Sequence, residues 1–155
     1  MSAGDTVRVS MSQELLEKIR RHGEETYPHE CCGALLGRDA NSEGRPEREI
    51  LELYPLVNRR DDSPRNRFSV APGDVMDADK AAAARGLDVV GWYHSHPDHP
   101  ARPSEYDREH AWPWYSYIIV SVPKGAAGEM TSWRLQDDRS GYEKERIEVR
   151  TEARA

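Results

Sequence analysis

Residues Leu87 to Asp107 read LDVVGWYHSHPDHPARPSEYD. The first part is apolar and β-branched, and Pro97 ends it as a strand. Pro100 and Pro103 then fix the course of a short connection. Ser104 is a helix N-cap residue, with Asp107 three positions on in the first turn. Strand, rigid link and short helix are thus written in one stretch. Residues two apart on a strand share a face. His94 and His96 therefore project together at the strand end, and Ser95 points away.

Two imidazoles at a strand end and a carboxylate on a helix folding back over it make a metal-ligand set. Zinc takes imidazole nitrogen and carboxylate oxygen in tetrahedral geometry, and three protein ligands leave a fourth position open for water. His94, His96 and Asp107 are the candidate ligands. Zinc lowers the pKa of such a water to about 7, which makes it a nucleophile. A carboxylate that does not ligate must take its proton, and Glu30 is the candidate base. It stands at the head of an apolar strand, where a carboxylate is costly without a partner or a task. Ser104 is placed to donate its hydroxyl to an oxyanion. Each reading has a plainer rival. An isolated His-x-His is as often a pair of surface histidines. Ser104 and Asp107 also make an ordinary helix cap, and Glu30 alone reads as an exposed strand-end acid. His99 is expected in solvent, because a fourth protein ligand would close the open position. His29 and His110 are read as surface residues.

Outward from this stretch, residues 7–11 read as a short strand. Ser12 caps the helix QELLEKIRRHGEE, with Leu15, Leu16 and Ile19 on one face. Tyr27-Pro28 ends it. ECCGALLG, residues 30–37, is a buried strand, and REILELYPLVN, residues 48–58, another. The intervening RDANSEGRPE is turn chemistry. NRRDDSPRNR is a charged loop, which Phe68 anchors. PGDVMDADKAAAARG carries helix start and stop signals. YSYIIVSVP and EMTSWRLQ are strands. YEKERIEVR is an edge strand or a helix. Strands and helices alternate only in part, which favours a mixed sheet with flanking helices, an α/β (α+β) fold in one domain over residues 1–155.

The chain has 155 residues, a formal net charge of −6 and 37% hydrophobic residues. The acidic balance gives no bulk attraction to phosphate backbones, so no nucleic-acid partner is expected. No run of about 18 apolar residues is present, and the N-terminus lacks signal-peptide character, so the expectation is a cytoplasmic protein without a membrane span. The two cysteines, Cys31 and Cys32, are adjacent and unsuited to a mutual disulfide. They read as reduced, buried thiols. Arg59, Arg60, Arg65 and Arg67 read as a solvated basic loop, with a docking patch for an acidic carrier protein as the alternative.

Glu30 with CCGALLG after it, then HSHP, six residues, and SEYD resembles the JAMM motif of the MPN+ (Mov34/PAD-1, JAB) zinc metalloprotease family. That motif is His-x-His-Pro, six residues, Ser-x-x-Asp, with an upstream Glu. With each residue type at a few per cent usage, chance matches should be rarer than roughly one in a million per position. The resemblance extends over nearly the whole chain, including Asn58 before a loop ending in Phe68. It implies a central mixed sheet flanked by helices, the JAB/MPN, cytidine-deaminase-like fold. It implies that Zn2+ is held by His94, His96 and Asp107, that Glu30 is the general base and that Ser104 assists water and oxyanion. It further implies hydrolysis of a peptide or isopeptide bond after the C-terminal Gly-Gly of a ubiquitin-like or sulfur-carrier (ThiS/MoaD-like) protein. Small bacterial members of this layout favour a small carrier over ubiquitin itself. The alternative within the family is a non-catalytic MPN scaffold, but scaffold members typically lose motif ligands and none is lost here. A zinc deaminase would need Pro-Cys-x-x-Cys, which is absent.

Overall fold

Ser12 begins the first helix as expected, its Oγ accepting from the backbone N–H of Leu15 at 3.2 Å. The structure, a computed structural model, describes residues 8–42, 44–57 and 72–150. Asn58, Phe68 and the arginines Arg59, Arg60, Arg65 and Arg67 lie outside the described residues. The elements in chain order are β1 (Arg8–Ser12), α1 (Gln13–Thr26), β2 (Cys32–Ser42), β3 (Arg45–Leu56), α2 (Pro72–Ala84), β4 (Asp88–Pro97), α3 (Glu105–His110), β5 (Ser116–Val122), β6 (Met130–Leu135) and β7 (Tyr142–Arg150).

The strands pair in the order β1-β3-β2-β4-β5-β6-β7 and the sheet closes into a barrel, because β7 also pairs with β1. It is mixed: β1 runs parallel to β3 and β7, and β4 parallel to β5, while the remaining pairs are antiparallel. A mixed sheet with flanking helices was the expectation from sequence; the closure by β1 was not.

Two other readings are corrected. Residues 38–47, read as turn chemistry, are mostly strand. β2 and β3 form one long hairpin that runs to Ser42 and Arg45, with Gly44 at φ 75° in its turn. The polar residues there find partners across the hairpin instead of looping. Arg38 pairs with Glu49 at 2.9 Å, and the wholly buried Arg48 binds Asp39 at 2.7 Å. The tail at residues 142–150, read as an edge strand or helix, is a strand with neighbours on both sides. Its charges are matched locally. Glu145 meets Arg134 at 3.0 Å and Ser132 at 2.8 Å, and Glu148 meets Arg8 at 3.4 Å.

α1 and α2 each cover a core of their own. Leu15, Leu16 and Ile19 of α1 pack with Val9, Met11, Leu35, Ile50, Tyr93, Ile118 and Val120. Ala78 and Ala82 of α2 pack with Ala34, Leu36, Val89, Trp92, Tyr117 and Leu135. Alanine at those α2 positions lets the helix lie close on the sheet. β4 runs between the two cores and is buried from Val89 to Pro97, which explains a sequence that reads apolar without alternation.

Candidate active site

β4 sets the first two groups. His94 pairs with Cys32 on one side and Ile119 on the other, so it lies deep in the sheet. His94 and His96 share a face, their ring centroids 5.0 Å apart. Beyond Pro97 the chain turns through Asp98 at φ 60°. It then runs through residues 99–103 to Ser104, the N-cap of α3. The cap is reciprocal: Ser104 Oγ accepts from the Asp107 N–H at 3.0 Å, and Asp107 Oδ2 accepts from the Ser104 N–H at 2.8 Å. This capping box aims the Asp107 carboxylate back at the strand end.

The three groups meet. Asp107 Oδ1 stands 3.5 Å from His94 Nε2, and Asp107 Oδ2 stands 3.2 Å from His96 Nε2. One donor atom from each lies within 4.8 Å of the others. His96 Nδ1 donates to the Pro100 carbonyl at 2.8 Å. A carbonyl only accepts, so that nitrogen carries the hydrogen, and in the neutral ring the Nε2 lone pair faces the carboxylate. A lone pair and a carboxylate turned toward one point form a donor set for a cation, and backbone-oriented imidazole is the usual state of a metal-binding histidine. The three residues thus fit a metal ion.

The electrostatics agree. Burial pushes the His94 imidazole down to about 4, which outweighs the raising pull of Asp107 and is reinforced by His96. Near neutral pH the ring is uncharged, so its contact with Asp107 is imidazole to carboxylate, not an ion pair. Burial alone would raise the Asp107 carboxyl. His94, His96 and the Ser104 amide outweigh it and hold the group well below the usual carboxylate range.

Glu30 comes from a distant part of the chain. It follows α1 and precedes β2, and it is 3% exposed, with Oε1 3.8 Å from His94 Nδ1. Its place is fixed by its neighbour. The Cys31 N–H donates to Ser95 Oγ at 2.8 Å, and the Ser95 N–H donates to the Cys31 carbonyl at 3.3 Å. Ser95, which points away from the histidines, therefore ties the start of β2 to β4 beside His94. Ser104 is exposed at the mouth, and its hydroxyl accepts from the cap while keeping a proton to donate.

The other expectations fall out plainly. His99 and His29 are exposed, and His99 is outside the cluster. The side chain of His110 is outside the described set. Cys31 and Cys32 are buried, and burial pushes both thiols up to about 12, so neither is a nucleophile at neutral pH. Sequence reasoning missed the groups that hold the link between β4 and α3. Ser121 Oγ binds the His99 carbonyl at 2.6 Å, and Thr131 Oγ1 binds the Ala101 carbonyl at 2.5 Å. Main-chain acceptors leave no residue signature, so no motif announces these contacts.

The sequence matches the family described as prokaryotic homologs of the JAB domain over residues 12–136. It is 34% identical over 136 residues to a desampylase of Haloferax volcanii, covering 84% of this chain and 90% of that one. It is 34% identical over 108 residues to a probable TtuB-protein conjugate cleaving protease of Thermus thermophilus, covering 70% of this chain and 66% of that protein. Among solved structures, a protein of Desulfitobacterium hafniense superimposes with a TM-score of 0.77 at 32% identity, covering 93% of this chain and 94% of its own. With its fold, its sequence and its clustered histidines and aspartate in agreement, the chain belongs to the prokaryotic JAB-domain family.

Proposed function

We propose that this chain is a single-domain, zinc-dependent isopeptidase of the JAMM type. It hydrolyses a peptide or isopeptide bond after the C-terminal Gly-Gly of a small ubiquitin-like or sulfur-carrier protein of the ThiS/MoaD kind, and it works in the cytoplasm. The observation that carries this reading is the convergence of His94, His96 and Asp107 beside the buried carboxylate of Glu30. The names of two relatives, a desampylase and a TtuB-protein conjugate cleaving protease, support the carrier class.

Two imidazoles and a carboxylate are a donor set that zinc takes. When bound, the metal supplies Lewis acidity at the scissile carbonyl. His94, His96 and Asp107 hold it, His96 with its tautomer fixed by the Pro100 carbonyl. Glu30 accepts a proton from the attacking water and passes it to the leaving amine, a role that suits a carboxylate sealed from bulk solvent. Ser104 donates its hydroxyl proton to the oxyanion of the tetrahedral intermediate. Its cap bond uses the oxygen as acceptor and leaves that donor in place.

The rival reading is a partner-binding scaffold that holds a metal but does no chemistry. Metal analysis and cleavage of a carrier extended past its Gly-Gly tail separate the two. Wild type should hold one zinc per chain and cleave the extension. Glu30→Gln should keep the zinc and lose turnover by roughly 10²–10⁴-fold, the range for a lost general base. His94→Ala should lose both. Undiminished turnover in Glu30→Gln would remove the base assignment. A metal-loaded wild type that cleaves no carrier would favour the scaffold.

A further inference from the structure

α3 has six residues. Isolated helices below about 12–15 residues are marginal in water, so this one needs outside support to hold Asp107 still. The capping box joins the helix to its own N-cap but not to the barrel. Attachments to the barrel come from β5, where Ser121 holds the His99 carbonyl and Tyr117 accepts from the Trp112 N–H at 2.8 Å, and from β6 and the turn after it. On β6, Thr131 Oγ1 donates to the Ala101 carbonyl at 2.5 Å and accepts from Trp133 Nε1 at 2.8 Å. In the turn, Arg139 reaches the far end of α3. One guanidinium nitrogen donates to the Ala111 carbonyl at 2.9 Å, and another to those of Arg108 at 3.2 Å and Glu109 at 3.4 Å. A hydroxyl thus grips the chain before the helix and a guanidinium grips it after, with Asp107 between them.

The turn itself supports the reading. Arg139 has φ 62°, the left-handed region where glycine is the ordinary occupant. Its neighbours brace it. The Arg139 N–H donates to the Gln136 carbonyl at 2.8 Å, the Gln136 N–H donates to the Gly141 carbonyl at 2.9 Å, and the Ser140 N–H donates to Asp138 at 2.9 Å. An arginine in a glycine position, with its fork on three helix-end carbonyls, offsets its backbone strain with contacts that glycine could not make. Basic groups at the last carbonyls of a helix both satisfy them and complement the helix dipole.

We infer that Thr131 and Arg139 are positioning residues for the metal centre: through the carbonyls of residues 101, 108, 109 and 111 they set where the Asp107 carboxylate stands relative to His94 and His96. Among the described residues, the hydrogen bonds of these two side chains run to main-chain carbonyls and Trp133, not to a ligand side chain. The inference rests on the metal reading given above and deepens it, assigning control of ligand geometry to a hairpin that contributes no ligand.

The test uses the full chain stripped with a chelator, Zn2+ titrated against a chromophoric competitor, and thermal unfolding of the metal-free forms. In Arg139→Gly the backbone of the turn is relaxed, so metal-free stability should stay close to wild type. Its Zn2+ affinity should fall on the order of 10–100-fold, the usual cost of losing support behind a ligand. Thr131→Val should lower affinity in the same direction, and Thr131→Ser, which keeps the hydroxyl, should restore it. Wild-type affinity in Arg139→Gly would overturn the inference while leaving the metal reading intact. So would a Thr131→Ser that binds no better than Thr131→Val, which serves should Arg139→Gly fail to fold. A wild type that binds no zinc would overturn the metal reading and this one together.

Discussion

His94 and His96 sit two residues apart on one strand but are constrained by different means. His96 is fixed by a hydrogen bond to a carbonyl, whereas His94 is held uncharged by burial. The second mechanism has a pH signature in the metal-free protein. An imidazole in the unfolded chain titrates near 6.5, while His94 in the barrel titrates at about 4. Above the first value neither state binds the proton and stability is full. Between the two, the unfolded chain takes up a proton that the folded barrel refuses, so stability falls as pH drops from about 6.5 toward about 4. Thermal unfolding of chelator-treated protein across that window should show the decline, and His94→Gln should flatten it. An equal slope in both proteins would refute the assignment. Asp107 acts at lower pH. Its carboxyl is depressed in the folded state, so the stability it contributes is present above the ordinary carboxylate range and goes as pH falls through and below it. At this scale the candidate ligands were legible in sequence because strand period and helix cap place them within fourteen positions. Glu30 was legible mainly through the family motif. A lone acid before a strand reads as exposed, whereas in the fold Glu30 is buried beside Cys31, which is tied to Ser95 of β4.

Among elements, β4 is the one on which the site depends, and its two faces do different work. The histidines use one face. On the other, Tyr93 is fully buried, its hydroxyl 2.8 Å from His22 Nδ1 of α1. The tyrosine ring lies across Gly33 of β2, where an added Cβ would overlap the ring atoms themselves. Gly33→Ala must therefore displace Tyr93 from both the glycine and His22. Overpacking of this kind costs about 1–3 kcal/mol, so a denaturant midpoint below wild type is the expected outcome, and an unchanged one would contradict this packing. Helices and strands were readable where apolar period and caps agree, as in α1, α2 and β4. The hairpin of β2 and β3 was not, because Asp39, Asn41, Ser42 and Arg48 spell a turn by composition. Pairing across the hairpin decides instead, with Arg48 buried against Asp39, the Val90 carbonyl and Ser116. That partnership joins residues far apart in the chain, and no local window contains it.

For the whole molecule, the barrel stands on two apolar cores that contain none of the candidate metal ligands. Removing the metal should therefore loosen the site without unfolding the chain. A ligand present at a hundred times its dissociation constant stabilises by about 2.7 kcal/mol. For a domain of this size that corresponds to roughly 5–10 °C. Chelation should lower the unfolding temperature by that amount with far-ultraviolet circular dichroism unchanged at 25 °C. Loss of the dichroism signal would mean that the metal is structural. The mixed sheet itself was readable from sequence as a class. Its closure was not, since it depends on β1, five residues long, inserting between β3 and β7.

That insertion also decides where anything attached to this protein would stand. β1 and β7 run parallel, with Arg8 beside Arg146 and Ser12 beside Arg150, and both run in the direction of β4. Around the ring of strands, β4 is three strands from β1 one way and three from β7 the other, so the described chain enters and leaves on the wall across from the strand that bears the histidines. The seam between those two strands therefore lies on the far wall of the barrel from β4. The insertion of one short strand thus gathers both ends of the described chain on a single wall of the barrel.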